Sequence, residues 1–103
     1  MLNHKPNMAL ERLLEEKKED ILRICAEHGA RNVRIFGSTV RGEADRESDL
    51  DLLVEFEPQR SLLDQADLVF ELEELLGRKV DVVSESGLYW LLRRRILSEA
   101  QVL

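Results

Sequence analysis

Cysteine is almost missing: Cys25 stands alone, so no internal disulfide can close and a reducing cytosol is the expected compartment. No apolar run approaches the ~18 residues of a membrane span. The opening residues, Met-Leu-Asn-His-Lys-Pro-Asn, lead into charge rather than into an export signal. With only 2 prolines and 5 glycines, collagen-like and low-complexity classes are excluded, and those residues serve as punctuation between periodic segments. Positive charge is the minority. Fifteen Lys and Arg face 21 Asp and Glu, a net charge of -6, which argues against direct nucleic-acid binding. A metal-bridged nucleotide stays possible, because a divalent cation would reverse the local sign.

What is present suits one compact domain: 103 residues, 44% hydrophobic and 35% charged. No repeat or long linker divides residues 1–103, which are taken as one unit. Leu10, Leu13, Leu14, Ile21, Ile24 and Cys25 recur at helical spacing over 8–28, with Gly29 as the stop. Val33 to Phe36 reads as a short strand and 39–44 as a helical turn. Leu50 to Phe56 is the strongest strand. Ser61 to Leu76 reads as a helix with Leu62, Ala66, Val69, Leu72 and Leu76 on one stripe and Gly77 closing it. Lys79 to Ser84 is a third strand, and 87–100 a last helix carrying Leu88, Leu91, Leu92 and Ile96. The expected fold class is α/β (α+β), in the order α-β-α-β-α-β-α, with a small mixed β-sheet and helices on one face.

Strand parity places the chemistry. In Ser48-Asp49-Leu50-Asp51-Leu52-Leu53-Val54, Asp49 and Asp51 point to one face while Leu50, Leu52 and Val54 point to the other. In the third strand Val80 and Val82 share a face and Asp81 takes the opposite one. If the strands are neighbours, three carboxylates converge, and such a cluster repels itself unless a hard cation such as Mg²⁺ is bound. An Asp-x-Asp strand can equally mark the solvent face of a half-exposed sheet. Upstream, Phe36 runs into Gly37-Ser38 and a helical turn. Glycine lets backbone approach a phosphate, Ser38 adds a hydroxyl, and free N–H groups at a helix start attract anions. The same junction is also an ordinary tight turn with a serine cap.

Gly37-Ser38, ten intervening residues, then Asp49-Leu50-Asp51 resembles the signature of the DNA polymerase beta-like nucleotidyltransferase superfamily. The string from Gly37 to Val54 is similar to its minimal nucleotidyltransferase (MNT, MntA-like) branch, and the likeness continues through Leu75-Leu76-Gly77-Arg78-Lys79-Val80-Asp81-Val82-Val83. The resemblance implies a nucleotidyltransferase fold and an antitoxin of the HEPN/MNT toxin–antitoxin type. Such a protein moves AMP from ATP to a tyrosine of a HEPN ribonuclease toxin (HepT-like), a protein AMPylation. By the same resemblance Gly37 and Ser38 hold the triphosphate, Asp49 and Asp51 ligate a pair of Mg²⁺ ions, and Asp81 joins one metal and serves as base. A homodimer or hetero-oligomer is compatible with the apolar positions.

Other residues carry two readings. Arg41 faces nucleotide phosphate or partner, or pairs with Glu43 or Glu47. Arg93, Arg94 and Arg95 read as a solvated helix face, as do Glu71, Glu73 and Glu74. Tyr89 and Trp90 read as core or rim packing, with an adenine or partner contact as the alternative. His4, His28 and Cys25 lack metal-ligand spacing and read as structural or exposed. Two other functions compete with the leading one: a non-catalytic antitoxin acting by steric binding, and transfer to a small molecule.

Overall fold

The computed structural model describes residues 8–41 and 49–103. Helix α1 (Met8–Glu27) leads into strand β1 (Ala30–Phe36) and the single turn α2 (Ser38–Arg41). Strand β2 (Leu50–Phe56), helix α3 (Leu62–Leu76) and strand β3 (Val80–Ser84) follow. A 3-10 turn (Glu85–Gly87), helix α4 (Trp90–Glu99) and the two-residue strand β4 (Gln101–Val102) complete the chain. The part of the expected 39–44 turn beyond Arg41 falls outside the described residues. The sheet has four strands in the order β3-β2-β1-β4, with β2 and β3 parallel and the other pairs antiparallel. It is the mixed sheet expected, with β4 as an addition.

The core lies between the sheet and the two long helices. Leu10, Leu14, Ile21, Ile24 and Cys25 of α1 meet Leu68, Leu72 and Leu76 of α3 over Leu50, Leu52 and Val54 of β2. The α3 stripe agrees with the expected one at Leu72 and Leu76, which are buried, and differs at its start: Leu62 is 82% exposed and Ala66 is exposed, while Leu68 is fully buried. The helix start explains the offset. Ser61 is the N-cap, its Oγ accepting from the Leu63 N–H, while Asp64 accepts from the Ser61 N–H in a capping box. Leu62 and Leu63 therefore sit in the first turn, where both are exposed. At the far end Gly77 takes a left-handed conformation (φ 66°) and its N–H closes on the Glu73 carbonyl.

Strand β1 begins three residues earlier than Val33. Asn32, at φ 51°, forms an irregularity between Arg31 and Arg34, and its amide donates to Glu55. Asparagine tolerates this left-handed backbone. The extra residue lets both Ala30 and Val33 face the core.

Helices α1 and α3 cover one face, as expected. The segment from β3 into α4 lies on the other. Arg34 reaches Glu85 at 2.7 Å, and Arg93 donates to the Glu85 carbonyl. Leu53, opposite Arg34 in the ladder, is fully buried on this second face. Part of the face opposite α1 and α3 is thus roofed, at Arg34 and Leu53.

Candidate active site

Gly37 is the residue at which β1 stops. Its φ of +79° favours glycine, and a Cβ there would collide with the Asp51 carboxylate oxygen Oδ2. Glycine is therefore needed for a reason the sequence did not show: it makes room for Asp51. The chain then turns into α2, where the Gly37 carbonyl accepts from the Val40 and Arg41 N–H groups. Ser38 opens this turn.

Asp51 lies between two partners, paired with Phe36 of β1 and with Asp81 of β3. In a parallel ladder, directly paired residues project to the same face ~4.8 Å apart. Asp49 precedes β2 by one residue and shares this parity. Leu50, Leu52 and Val54 are completely buried on the opposite side. The parity expectation for these side chains agrees with the backbone register.

The cluster is electrostatically loaded. Burial, then the charge of Asp81, then that of Asp49 push the Asp51 carboxyl up to about 6, with Arg41 opposing and Glu99 adding to the rise. Asp49 and Asp81 are exposed. Among the described residues, no three His, Cys, Asp or Glu side chains are gathered into a ready-made metal site. Register brings the carboxylates to one end of one face, and mutual repulsion gives them no reason to close up further. An all-oxygen donor set in which burial and two neighbouring carboxylates hold back the ionisation of Asp51 fits a hard divalent cation, which would relieve that repulsion.

Arg41 forms an ion pair with Glu99 of α4 at 2.6 Å, a partner that local spacing did not suggest; Glu43 and Glu47 lie outside the described residues. Tyr89 and Trp90 are not packed in the core: they are 57% and 74% exposed, with ring centroids 5.9 Å apart. Two of the glutamates read as solvated have structural partners. Glu71 bonds His28, and the Glu73 carboxylate accepts from the Val80 N–H at 3.1 Å, anchoring the start of β3 next to Asp81. Burial pushes the Cys25 thiol up to about 11, so it is an inert core group. His4 lies outside the described residues.

This fold and this end of the sheet define a nucleotidyltransferase. The chain belongs to the nucleotidyltransferase domain family, whose model matches residues 14–103. It is 46% identical over 87 residues to MJ0435 of Methanocaldococcus jannaschii, named as a protein adenylyltransferase, covering 84% of this chain and 94% of that one. It is also 46% identical over 71 residues to the protein adenylyltransferase MntA of Thermococcus cleftensis, covering 69% of this chain and 72% of the relative. A solved minimal nucleotidyltransferase superposes with a TM-score of 0.81 at 54% identity, over 89% of this chain and 94% of that one. An MNT antitoxin solved in complex with a tri-AMPylated HEPN toxin of Shewanella oneidensis shares the fold (TM-score 0.66, 16% identity, 85% and 69% coverage). Among the described residues, no helix is long and apolar enough to cross a membrane.

Proposed function

We propose that this chain is a cytoplasmic antitoxin that transfers AMP from ATP to a tyrosine hydroxyl of a HEPN-type ribonuclease toxin. The observation that carries the reading is the direct pairing of Asp51 with Asp81 beside Gly37, in a chain whose relatives are named protein adenylyltransferases.

Each residue has a task in that reaction. Gly37 admits the triphosphate to backbone, and Ser38 offers its hydroxyl. Asp49 and Asp51 would hold a pair of Mg²⁺ ions, with Asp81 touching one of them. When bound, such ions supply charge neutralisation at the α-phosphorus and at the attacking and leaving oxygens. Asp81, exposed and on the neighbouring strand, faces the acceptor. A tyrosine of pKa ~10 is protonated at neutral pH, so its proton must leave as the oxygen attacks. Asp81 takes that proton, the tyrosine O–P bond forms, and the bond to pyrophosphate breaks. In a domain of 103 residues positioning and electrostatics supply most of the effect. The acceptor brings its own surface.

The test is incubation with α-labelled ATP, Mg²⁺ and a HEPN-type protein encoded beside this gene, followed by intact mass. The expected result is a gain of one or more AMP masses on that protein. Asp81→Asn should cut transfer by at least ~10²-fold while weakening Mg²⁺-ATP binding only modestly. An unmodified but fully inhibited toxin would replace catalysis by steric binding. Complete loss of Mg²⁺-ATP binding in Asp81→Asn would make Asp81 a ligand rather than the base.

A further inference from the structure

A cavity of about 240 Å³ opens beside Gly37, between the α2 turn and α4. It is smaller than the ~300 Å³ at which pockets begin to enclose a whole small ligand, so it has room for part of a nucleotide. Phe36 and Ile96 form apolar wall, and Gly37, Arg41, Arg95 and Glu99 bring polar groups to it. The charges are not equivalent. Arg41 and Glu99 are paired at 2.6 Å, and the Glu99 side chain is only 15% exposed. Glu99 is thereby committed to Arg41, although it stands four residues after Arg95 on the same helix, at ion-pairing distance in sequence. Among the described residues, the Arg95 guanidinium has no hydrogen bond or ion pair. Its neighbour Arg93 is tied to Glu85.

The geometry points to Arg95 as the cation that α4 contributes to the nucleotide, binding the phosphate tail of a nucleoside triphosphate seated against Gly37. This rests on the nucleotidyl-transfer reading above and adds to it a residue outside the Gly-Ser and carboxylate motifs. In a chain of net charge -6, with three carboxylates at the same end of the sheet, a polyphosphate needs a compensating cation beyond any bound metal. A planar guanidinium with five donors suits phosphate oxygens, and the apolar walls would strengthen the contact by excluding water. The Arg41–Glu99 pair fixes α4 against α2 and so sets the distance between Arg95 and Gly37.

Calorimetric titration of ATP and of AMP into the whole chain, in EDTA and again with Mg²⁺, tests this. The proteins compared are the wild type, Arg95→Gln, Arg95→Lys and, as a control on the same helix, Arg94→Gln. Arg95→Gln should weaken ATP by ~10-fold or more and AMP far less. Arg95→Lys should recover part of the loss, and Arg94→Gln should match wild type. Unchanged ATP affinity in Arg95→Gln, with a wild type that binds ATP and transfers AMP, overturns the assignment and leaves the proposed function standing. Equal weakening of ATP and AMP overturns it too, because the residue would then act through the placement of α4. Retained ATP binding with reduced toxin modification would assign Arg95 to the acceptor instead. A wild type that neither binds ATP nor transfers AMP removes the proposed function, and this inference with it.

Discussion

The two faces of β2 differ in what their side chains can tolerate. On one, Leu50, Leu52 and Val54 are completely buried under α1 and α3. On the other, Asp51 is half-buried beside Asp81 and Gly37, and its carboxyl resists ionisation. Over Leu50–Leu52 successive residues therefore serve opposite ends: the leucines remove apolar surface from water and Asp51 holds charge where charge is costly, while Leu53, further along the face of Asp51, is again fully buried. At the Asp51 end of β2, stability and chemistry are separated by parity rather than by distance. Substitutions at adjacent positions should for that reason have unrelated consequences.

The largest contrast is between Asp51→Asn and Leu52→Ala. Asp51→Asn keeps volume and touches no core contact, so the far-ultraviolet circular dichroism should be unchanged while transfer of AMP falls below detection; Asp49→Asn should behave alike. Leu52→Ala should do the reverse, losing ~2–5 kcal/mol of stability with residual activity in whatever fraction stays folded. Urea unfolding and a label-transfer assay on both variants measure this. A Leu52→Ala protein that is fully stable but inactive would show that the two faces are not separable. The same cost of ~2–5 kcal/mol is expected for Leu72→Ala on α3, which is completely buried against the same strand face.

At Gly37 the two roles meet. Gly37→Val should weaken ATP far more than Ser38→Ala, which removes one hydroxyl contact worth ~0.5–1.5 kcal/mol. Valine is opposed twice: by the backbone at φ +79° and by Asp51 Oδ2 at the Cβ position. It should displace Asp51 as well as obstruct phosphate. Affinities for ATP measured with and without Mg²⁺ separate these effects, since displacement of Asp51 matters chiefly when the metal is present. Equal affinities for the two variants would remove the Gly-Ser cradle from the site.

Parity was legible because it depends only on local backbone geometry. Asp49 and Asp51 could be assigned to one face of their strand, and Asp81 to the face opposite Val80 and Val82 in its own, from spacing alone; that the two strands are neighbours is set by long-range pairing, and β2 runs over the expected Leu50–Phe56. Features set by long-range contact were not legible. The leucines of α3 support overlapping stripes, and the Ser61–Asp64 capping box leaves Leu62 in an exposed first turn while Leu68 joins the expected Leu72 and Leu76 in the core. The Ser-x-x-Asp spacing was the available signal. The expected strand began only at Val33 because the irregularity between Arg31 and Arg34 breaks alternation. Glu73 reaches Val80 only after α3 turns at Gly77, and Arg41 meets a partner 58 residues away. Strand β4, two residues long, gives no periodicity to detect.

The smallest expected effect is on stability alone, in protein freed of metal by EDTA. The Asp51 carboxyl is raised from 3.8 to about 6 by burial first and by Asp81 and Asp49 next. The native state therefore prefers Asp51 protonated more strongly than the unfolded chain does. That preference favours folding fully below pH 3.8 and is lost as the pH rises through about 6. Asp51→Asn carries no such titration, since its side chain is neutral throughout. At pH 7 the variant should melt above the wild type, and the gap should close as the pH is lowered toward 4. The gain is modest, because a half-buried carboxylate is partly screened by solvent. Added Mg²⁺ should narrow or invert it at pH 7 by stabilising the ionised wild-type cluster while leaving the variant little changed. Melting temperatures at pH 4, 5.5 and 7, with and without Mg²⁺, decide the matter. A gap that does not change with pH would show that Asp51 ionises without cost, and that the carboxylate face is as relaxed as ordinary surface.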